Sequence, residues 1–331
     1  LFHTFPQVSV AMDDVRLRDS LWVRHHHDLL YARKAYASLD IFQLVTGHLR
    51  LSKIILENAA IYIYTDSTGY SNTSVFRKKP APQKETLQQK HYPNVELRNA
   101  SLVVEKKNKH KFFSFDISRL LCKIKTTEDQ PALDMDINLS VRVKTLIFNP
   151  EKGSFIEGKT VQGKFKARFN PHSKILQFDQ IKLNIDNQVF KAGGKFFLAE
   201  VPALFTLSLE TENLEYKKAV SFLSKNIRTK LNLYDISGEI STVKCSLDQT
   251  DSGFRTPLIR LYVNVKNKSI HTPLADLEKT YFTGFFTNES VKGGGHEDEN
   301  SLLRFTAMDG NWQDISFHYD SMNIRTLIQP I

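Results

Sequence analysis

Cysteine is almost missing from this chain, with two in 331 residues. That excludes a disulfide-dense scaffold and any cysteine-built zinc site. Cys122 and Cys245 lie far apart and are expected as two buried thiols, a disulfide being open to them only in an oxidising compartment. Tryptophan is as scarce, at two. The 14 glycines and 11 prolines are too few for low-complexity linker to dominate. No run of about 18 apolar residues exists, so no helical membrane span is predicted. The most apolar region, 54–64, is interrupted by Glu57 and Asn58. No signal peptide is visible. The chain does not begin with methionine, so its natural N-terminus is expected to have been removed.

What remains is a globular composition, 41% hydrophobic, long enough for one large domain or two medium ones. Lysine and arginine outnumber acids 45 to 36, a net charge of +9. A basic surface suits nucleic acid or anionic lipid, and charge alone does not choose.

Period two dominates. Leu133, Met135, Ile137, Leu139, Val141 and Val143 alternate with Asp134, Asp136, Asn138, Ser140 and Arg142. This predicts a strand with one apolar face, about 35 Å long at 3.3 Å per residue. Val161, Gly163, Phe165, Ala167 and Phe169 repeat the pattern, as do residues 181–185, 190–198, 205–209, 259–265 and 315–319. Turn signals such as Asn149-Pro150 and Asp186-Asn187 separate these runs and predict an antiparallel meander. Helices are few: a short one after Asp40 and one long one over 212–230, where Tyr216, Ala219, Val220, Leu223 and Ile227 share a face. The expected fold class is mainly β: a long antiparallel, curled sheet, either a groove or a folded-over sandwich, with one long and one short helix. The expected division is an N-terminal region over 1–76, a flexible basic loop over 77–93, and an extended sheet body over 94–331 that continues beyond this chain.

No catalytic constellation stands out. His25-His26-His27-Asp28 has metal-ligand chemistry, but adjacent residues of a strand point to opposite faces, so an exposed turn is expected. Asp66-Ser67-Thr68-Gly69 lacks the second copy that an aspartic protease needs and reads as a turn. Gly293-Gly294-Gly295 lacks the Lys-Ser/Thr of a phosphate loop. Asp134 and Asp136 read as a solvated pair. Lys164, Lys166 and Arg168 alternate with Phe165 and Phe169, which places cations and rings on opposite faces. A nucleic-acid stacking platform needs both on one face, so no nucleic-acid partner is expected. No cofactor and no metal are called for.

Several segments resemble the AsmA family of bacterial envelope proteins, in its Bacteroidetes form. Phe5-Pro6-Gln7-Val8 followed by Met12-Asp13-Asp14-Val15-Arg16-Leu17 is similar to the family's opening strand pair. Ser38-Leu39-Asp40, Leu44 and Gly47-His48-Leu49-Arg50-Leu51 resemble its next segment. Ile61-Tyr62-Ile63-Tyr64, closed by Gly69-Tyr70-Ser71-Asn72, resembles a strand ending in a family turn. Residues 158–169 and 176–194, Ile270-His271-Thr272-Pro273-Leu274 and Gly284-Phe285-Phe286-Thr287-Asn288 are similar to later parts. The resemblance implies a non-enzymatic periplasmic protein, anchored in the inner membrane by a removed N-terminal helix and serving outer-membrane biogenesis. It implies phospholipid as a partner, with acyl chains along an apolar β-groove, and outer-membrane assembly proteins as further partners. On that reading Leu133, Met135, Ile137, Leu139, Val141, Val143, Phe165 and Phe169 line the groove. Lys164, Lys166 and Arg168 at its rim, with Lys217, Lys218 and Lys225 of the long helix, meet headgroups or membrane. The rival readings are a closed β-sandwich that holds other envelope proteins and, below it, a hydrolase.

Overall fold

A computed structural model of the protein describes residues 7–40, 50–76, 92–126, 132–199, 204–250, 253–254 and 256–325. The chain forms two compact units, one of residues 1–147 and 158–172, the other of residues 148–157 and 173–331. The expected fold class holds in each: the protein is mainly β, built of long strands in sheets that follow chain order.

The first unit contains β1 (Gln7–Leu17), β2 (Leu30–Asp40), β3 (Leu51–Thr65), β4 (Asn94–Lys106), β5 (Lys111–Thr126), β6 (Leu133–Ile147) and β7 (Thr160–Asn170). A single helical turn, α1 (Trp22–His25), joins β1 to β2. Neighbouring strands pair antiparallel with one exception. β3 and β4 run parallel, Ile54 opposite Val95 and Ile61 opposite Leu102. A parallel pair needs a crossover that returns the chain to the starting end. The strand order requires that return between Thr65 and Asn94. The meander predicted from short turns is therefore broken here. The boundary expected over 77–93 does not divide the molecule either, because β3 and β4 on its two sides are bonded neighbours within one unit. Residues 77–91 lie outside the described residues, as does the short helix expected after Asp40.

One device recurs across β1–β5. Along β6 every second residue faces the same way, but in β2–β5 the inward series once steps by three and skips two residues: Ala35 to Ala32, Leu56 to Ala59, Leu97 to Ala100, and Leu120 to Ile117. The skipped positions lie side by side, and Asp14, Asn58 and Asn99 adopt left-handed backbone there, with φ of 52°, 50° and 50°. Asparagine and aspartate tolerate that region better than most residues. The row ends at a register shift between β5 and β6, at Ile117/Arg119. An extra residue at one level bends a strand and raises its twist, so a row of them bends the sheet along a line.

The second unit contains β8 (Ile175–Ile185), β9 (Gln188–Phe197), β10 (Leu204–Glu215), β11 (Asp235–Ile236), β12 (Glu239–Gln249), β13 (Leu258–His271), β14 (Asp276–Thr287), β15 (Leu302–Trp312) and β16 (Ile315–Arg325). Left-handed residues recur at Gln180, Asn213, Asn267, Lys279 and Ala307. The long helix predicted over 212–230 is absent. Glu212 and Glu215 stay in β10, paired with Thr242 and Glu239. Two short helices come after the strand instead, α2 (Tyr216–Ser221) and α3 (Lys225–Leu231). Ser224 between them is extended, at φ −63° and ψ 156°. Strand pairing overrides helical periodicity at one end, and a serine suited to a helix start breaks it in the middle. α2 lays Tyr216 and Ala219 on a cluster of Ile240, Val265, Ile270 and Phe282.

Candidate functional site

The apolar face of the first unit gathers the residues expected to line a groove. β6 and β7 pair with Leu133 opposite Phe169, Met135 opposite Ala167, Ile137 opposite Phe165, and Leu139 opposite Gly163. Side chains directly opposite in register share a face. Leu133, Met135, Ile137, Leu139, Val141, Val143, Phe165 and Phe169 therefore form one surface. The face continues where the sequence did not point, through Leu120, Cys122 and Ile124 of β5, Val95, Leu97 and Leu102 of β4, and Leu56 and Ile61 of β3.

Its burial is uneven in an informative way. Leu133 and Val143 are buried, at 6% and 2% exposure, and so are the small Ala32, Ala59, Ala100 and Ala167. Met135, Ile137, Leu139, Val141, Phe165 and Phe169 are only half-buried, as are Leu56, Ile61, Leu102 and Leu120. A second sheet packed face to face interdigitates side chains and buries the large ones. Lateral neighbours alone shield alanines and leave longer side chains in partial contact with water.

The cations expected at the rim do not stand there. Lys164, Lys166 and Arg168 are exposed on the opposite face, in register with Asn138, Asp136 and Asp134. Arg168 Nε donates to Asp134 Oδ1 at 2.9 Å. Lys125 Nζ lies 2.8 Å from Asp136 Oδ2 and, as its hydrogen-bond donor, holds that carboxyl below the usual carboxylate range. Strand alternation forces this outcome: a cation between two inward rings faces outward, not to the strand end. Lys217, Lys218 and Lys225 belong to the second unit. The break at Ser224 puts the first two on α2 and the third on α3, so they do not share one helix face. Lys217 lies 3.4 Å from Asp235.

Two further cations do stand on the apolar face, and the sequence does not single them out. Lys106 and Lys111 face each other across the β4–β5 hairpin. They continue the apolar rows, because Val104 pairs with Phe113 and Leu102 with Phe115 at the alternate positions. Lys111 is 9% exposed. Burial pushes both ammonium groups below the usual lysine range, and for Lys111 the neighbouring Lys106 adds to the push. Among the described residues neither has an ion-pair or hydrogen-bond partner. In sequence they look like the solvated lysines of a hairpin; only register shows which face they occupy.

The histidine run is not a fully exposed turn. His25 and Asp19 have side chains 6% and 1% exposed, and His25 Nε2 lies 3.0 Å from Asp19 Oδ1. His25 Nδ1 accepts the His27 backbone N–H at 3.1 Å, so Nε2 carries the proton and donates it to the carboxylate. Tyr70 also donates to Asp19. Burial pushes the Asp19 carboxyl up, but these two bonds outweigh it and hold it below its ordinary value. His27 stacks on Tyr62 at 4.2 Å, and burial lowers its imidazole. Both nitrogens of His25 are committed, which suits a structural plug between β1 and β2. Among the described residues no cluster of metal-ligating side chains forms.

Elsewhere Asp66 Oδ1 accepts Thr68 N–H and Tyr70 N–H, a plain turn. Cys122 and Cys245 are free thiols; burial raises both, Cys245 to about 11. A cleft of mixed lining on the second unit holds Ser208, Glu210, Lys244 and Cys245. Its Ser208 hydroxyl donates to Gly193 O at 3.3 Å and its Lys244 pairs with Glu210 at 3.2 Å, so neither is poised for nucleophilic attack. Comparison with protein-family models, curated proteins and solved structures finds no match for the chain.

Proposed function

We propose that the protein is a non-enzymatic, AsmA-like lipid carrier of the bacterial envelope, acting in the periplasm in outer-membrane biogenesis. The whole protein is anchored in the inner membrane, and the apolar face of its first unit holds phospholipid acyl chains or lets them slide. The observation that supports this most is the set of large, half-buried side chains on β3–β7. Each methylene transferred from water to such a surface contributes about 0.8 kcal/mol, so a tail needs no specific polar contact. A lining of Leu, Ile, Val, Met and Phe makes successive tail positions close in energy, which is what sliding requires. The resemblance in residues 5–72 supplies the envelope setting and the outer-membrane assembly partners.

The test is lipid content. The purified chain, taken intact into native mass spectrometry or extracted with organic solvent, should yield phospholipid in stoichiometric amount. An Ile137→Asp variant should carry several-fold less while keeping its far-UV spectrum. Wild-type protein that is folded and free of lipid after gentle purification from envelopes removes the reading.

A further inference from the structure

We propose that Lys106 and Lys111 receive the anionic head of an acyl lipid whose tail lies over Leu102, Val104, Phe113 and Phe115, so the apolar face has a charged end. This rests on the lipid-carrier reading and gives it a polarity.

The argument starts from register. Lys106 and Lys111 are directly opposite residues at the last paired position of the β4–β5 hairpin, before the turn at Lys107–Lys109. Like charges placed directly opposite repel. A buried lysine ordinarily has a carboxylate partner, and the part-buried Lys53 of this sheet has one in Glu96 at 2.6 Å. Glu105, next in sequence to Lys106, is committed instead to the Tyr62 hydroxyl at 2.6 Å. So two half-desolvated ammonium groups stand side by side with no acid partner among the described residues, at the strand ends where an apolar face meets water. A phosphate or carboxylate there satisfies both and removes their mutual repulsion. The chemistry beside them decides what carries the anion. Leu102, Val104, Phe113 and Phe115 lead away from the lysines along one face, and a free inorganic ion makes no use of them. An anion on a hydrocarbon chain fits both parts.

The experiment uses the full chain and displacement of the neutral fluorophore N-phenyl-1-naphthylamine by two tail-matched amphiphiles, hexadecyl phosphate and 1-hexadecanol. Wild type should bind the phosphate about tenfold more tightly than the alcohol. Lys106→Gln/Lys111→Gln should keep its affinity for the alcohol and lose the preference. Equal wild-type affinities, or a preference that survives the double substitution, overturn the lysine site and leave the carrier reading standing. Displacement by neither amphiphile removes the carrier reading and the site with it. A second measurement needs no variant. Hexadecyl phosphate should slow acetylation of Lys106 and Lys111, read by peptide mass spectrometry, relative to the exposed Lys217 and Lys225. No slowing overturns the site. Equal slowing by inorganic phosphate at the same concentration assigns the lysines to a free ion and overturns it too.

Discussion

The two units solve the same problem differently. Each has strands with one apolar face. In the second, α2 lies on that face and large side chains reach full burial: Val265 at 1%, Ile240 at 4% and Phe282 at 7% exposure. In the first, the fully hidden members of the central cluster are mainly small: Ala32, Ala59 and Ala100, with Leu97 and Ile117 beside them. The larger side chains around them stay half-buried. Neighbouring strands of one sheet shield a methyl group readily, whereas many of the longer side chains on a face without a second layer keep partial contact with water. Alternation in a sequence therefore announces an apolar face without saying whether protein covers it. What separates the two cases is whether another element lies on the large side chains, as α2 does in the second unit.

The largest expected effect tests that separation directly. Leu214 in β10 is 2% exposed, and Leu214→Ala should cost about 2–5 kcal/mol through lost transfer energy plus the cavity left behind. Ile137 on the open face is half-buried, and water or lipid can refill the space its truncation leaves. Ile137→Ala should cost about 1 kcal/mol. Urea unfolding of both variants checks this. Equal losses would mean that the first unit's face is packed as tightly as the second's.

The first unit also keeps an ion network around one buried carboxylate on its other face. Glu96, 2% exposed, accepts from Arg98 Nε at 2.8 Å and from Lys53 at 2.6 Å, and Arg98 also reaches Glu57 at 2.7 Å. The Arg98 bond foremost, with Lys53 against the opposing push of burial, holds the carboxyl at about 2, from an ordinary 4.5. A folded-state value below the unfolded one stabilises fully above the unfolded value and is lost as pH falls from there through the folded one. Glu96→Gln should therefore cost about 3 kcal/mol at neutral pH and almost nothing near pH 2. In the second unit the Lys244–Glu210 pair is solvent-screened, and Glu210→Gln should cost under about 1 kcal/mol at any pH. Denaturant titrations at pH 7 and pH 2 measure both. A pH-independent Glu96→Gln loss would move the stabilisation from charge to packing.

Legibility in the sequence obeys the same geometry. β6 and β7 read correctly because their alternation runs unbroken from Leu133 to Val143 and from Val161 to Phe169. β1–β5 blur because each inserts one residue at a shared level, so Leu56–Ala59 and Leu97–Ala100 show helical spacing inside a strand. Parallel pairing of β3 with β4 leaves no local mark, since it depends on residues 41 positions apart, as Ile54 and Val95 are. Periodicity sets Lys164, Lys166 and Arg168 on the face opposite the rings, yet the placing of Asp136 and Asp134 opposite the last two emerges only from register. Lys106 and Lys111 are illegible for the same reason: their alignment with the apolar rows is a property of two paired strands, not of either one.

The units share one backbone device. Asn99 and Asn267 both hold left-handed backbone, at φ 50° and 51°. Valine there adds a branched Cβ to a conformation that disfavours it, at a cost of about 1–2 kcal/mol, while glycine relieves the same strain and should be near neutral. Asn99→Val and Asn267→Val should lose similar stability although one face is open and the other covered, because the strain is local to the backbone. Their consequences for lipid should differ. A straightened β4 flattens the bend beside Leu97 and Ala100, so Asn99→Val should lower the lipid retained by the full chain, and Asn267→Val should leave it unchanged. Matched lipid loss in both variants would place the bound tails on both units and erase the functional half of the contrast between them.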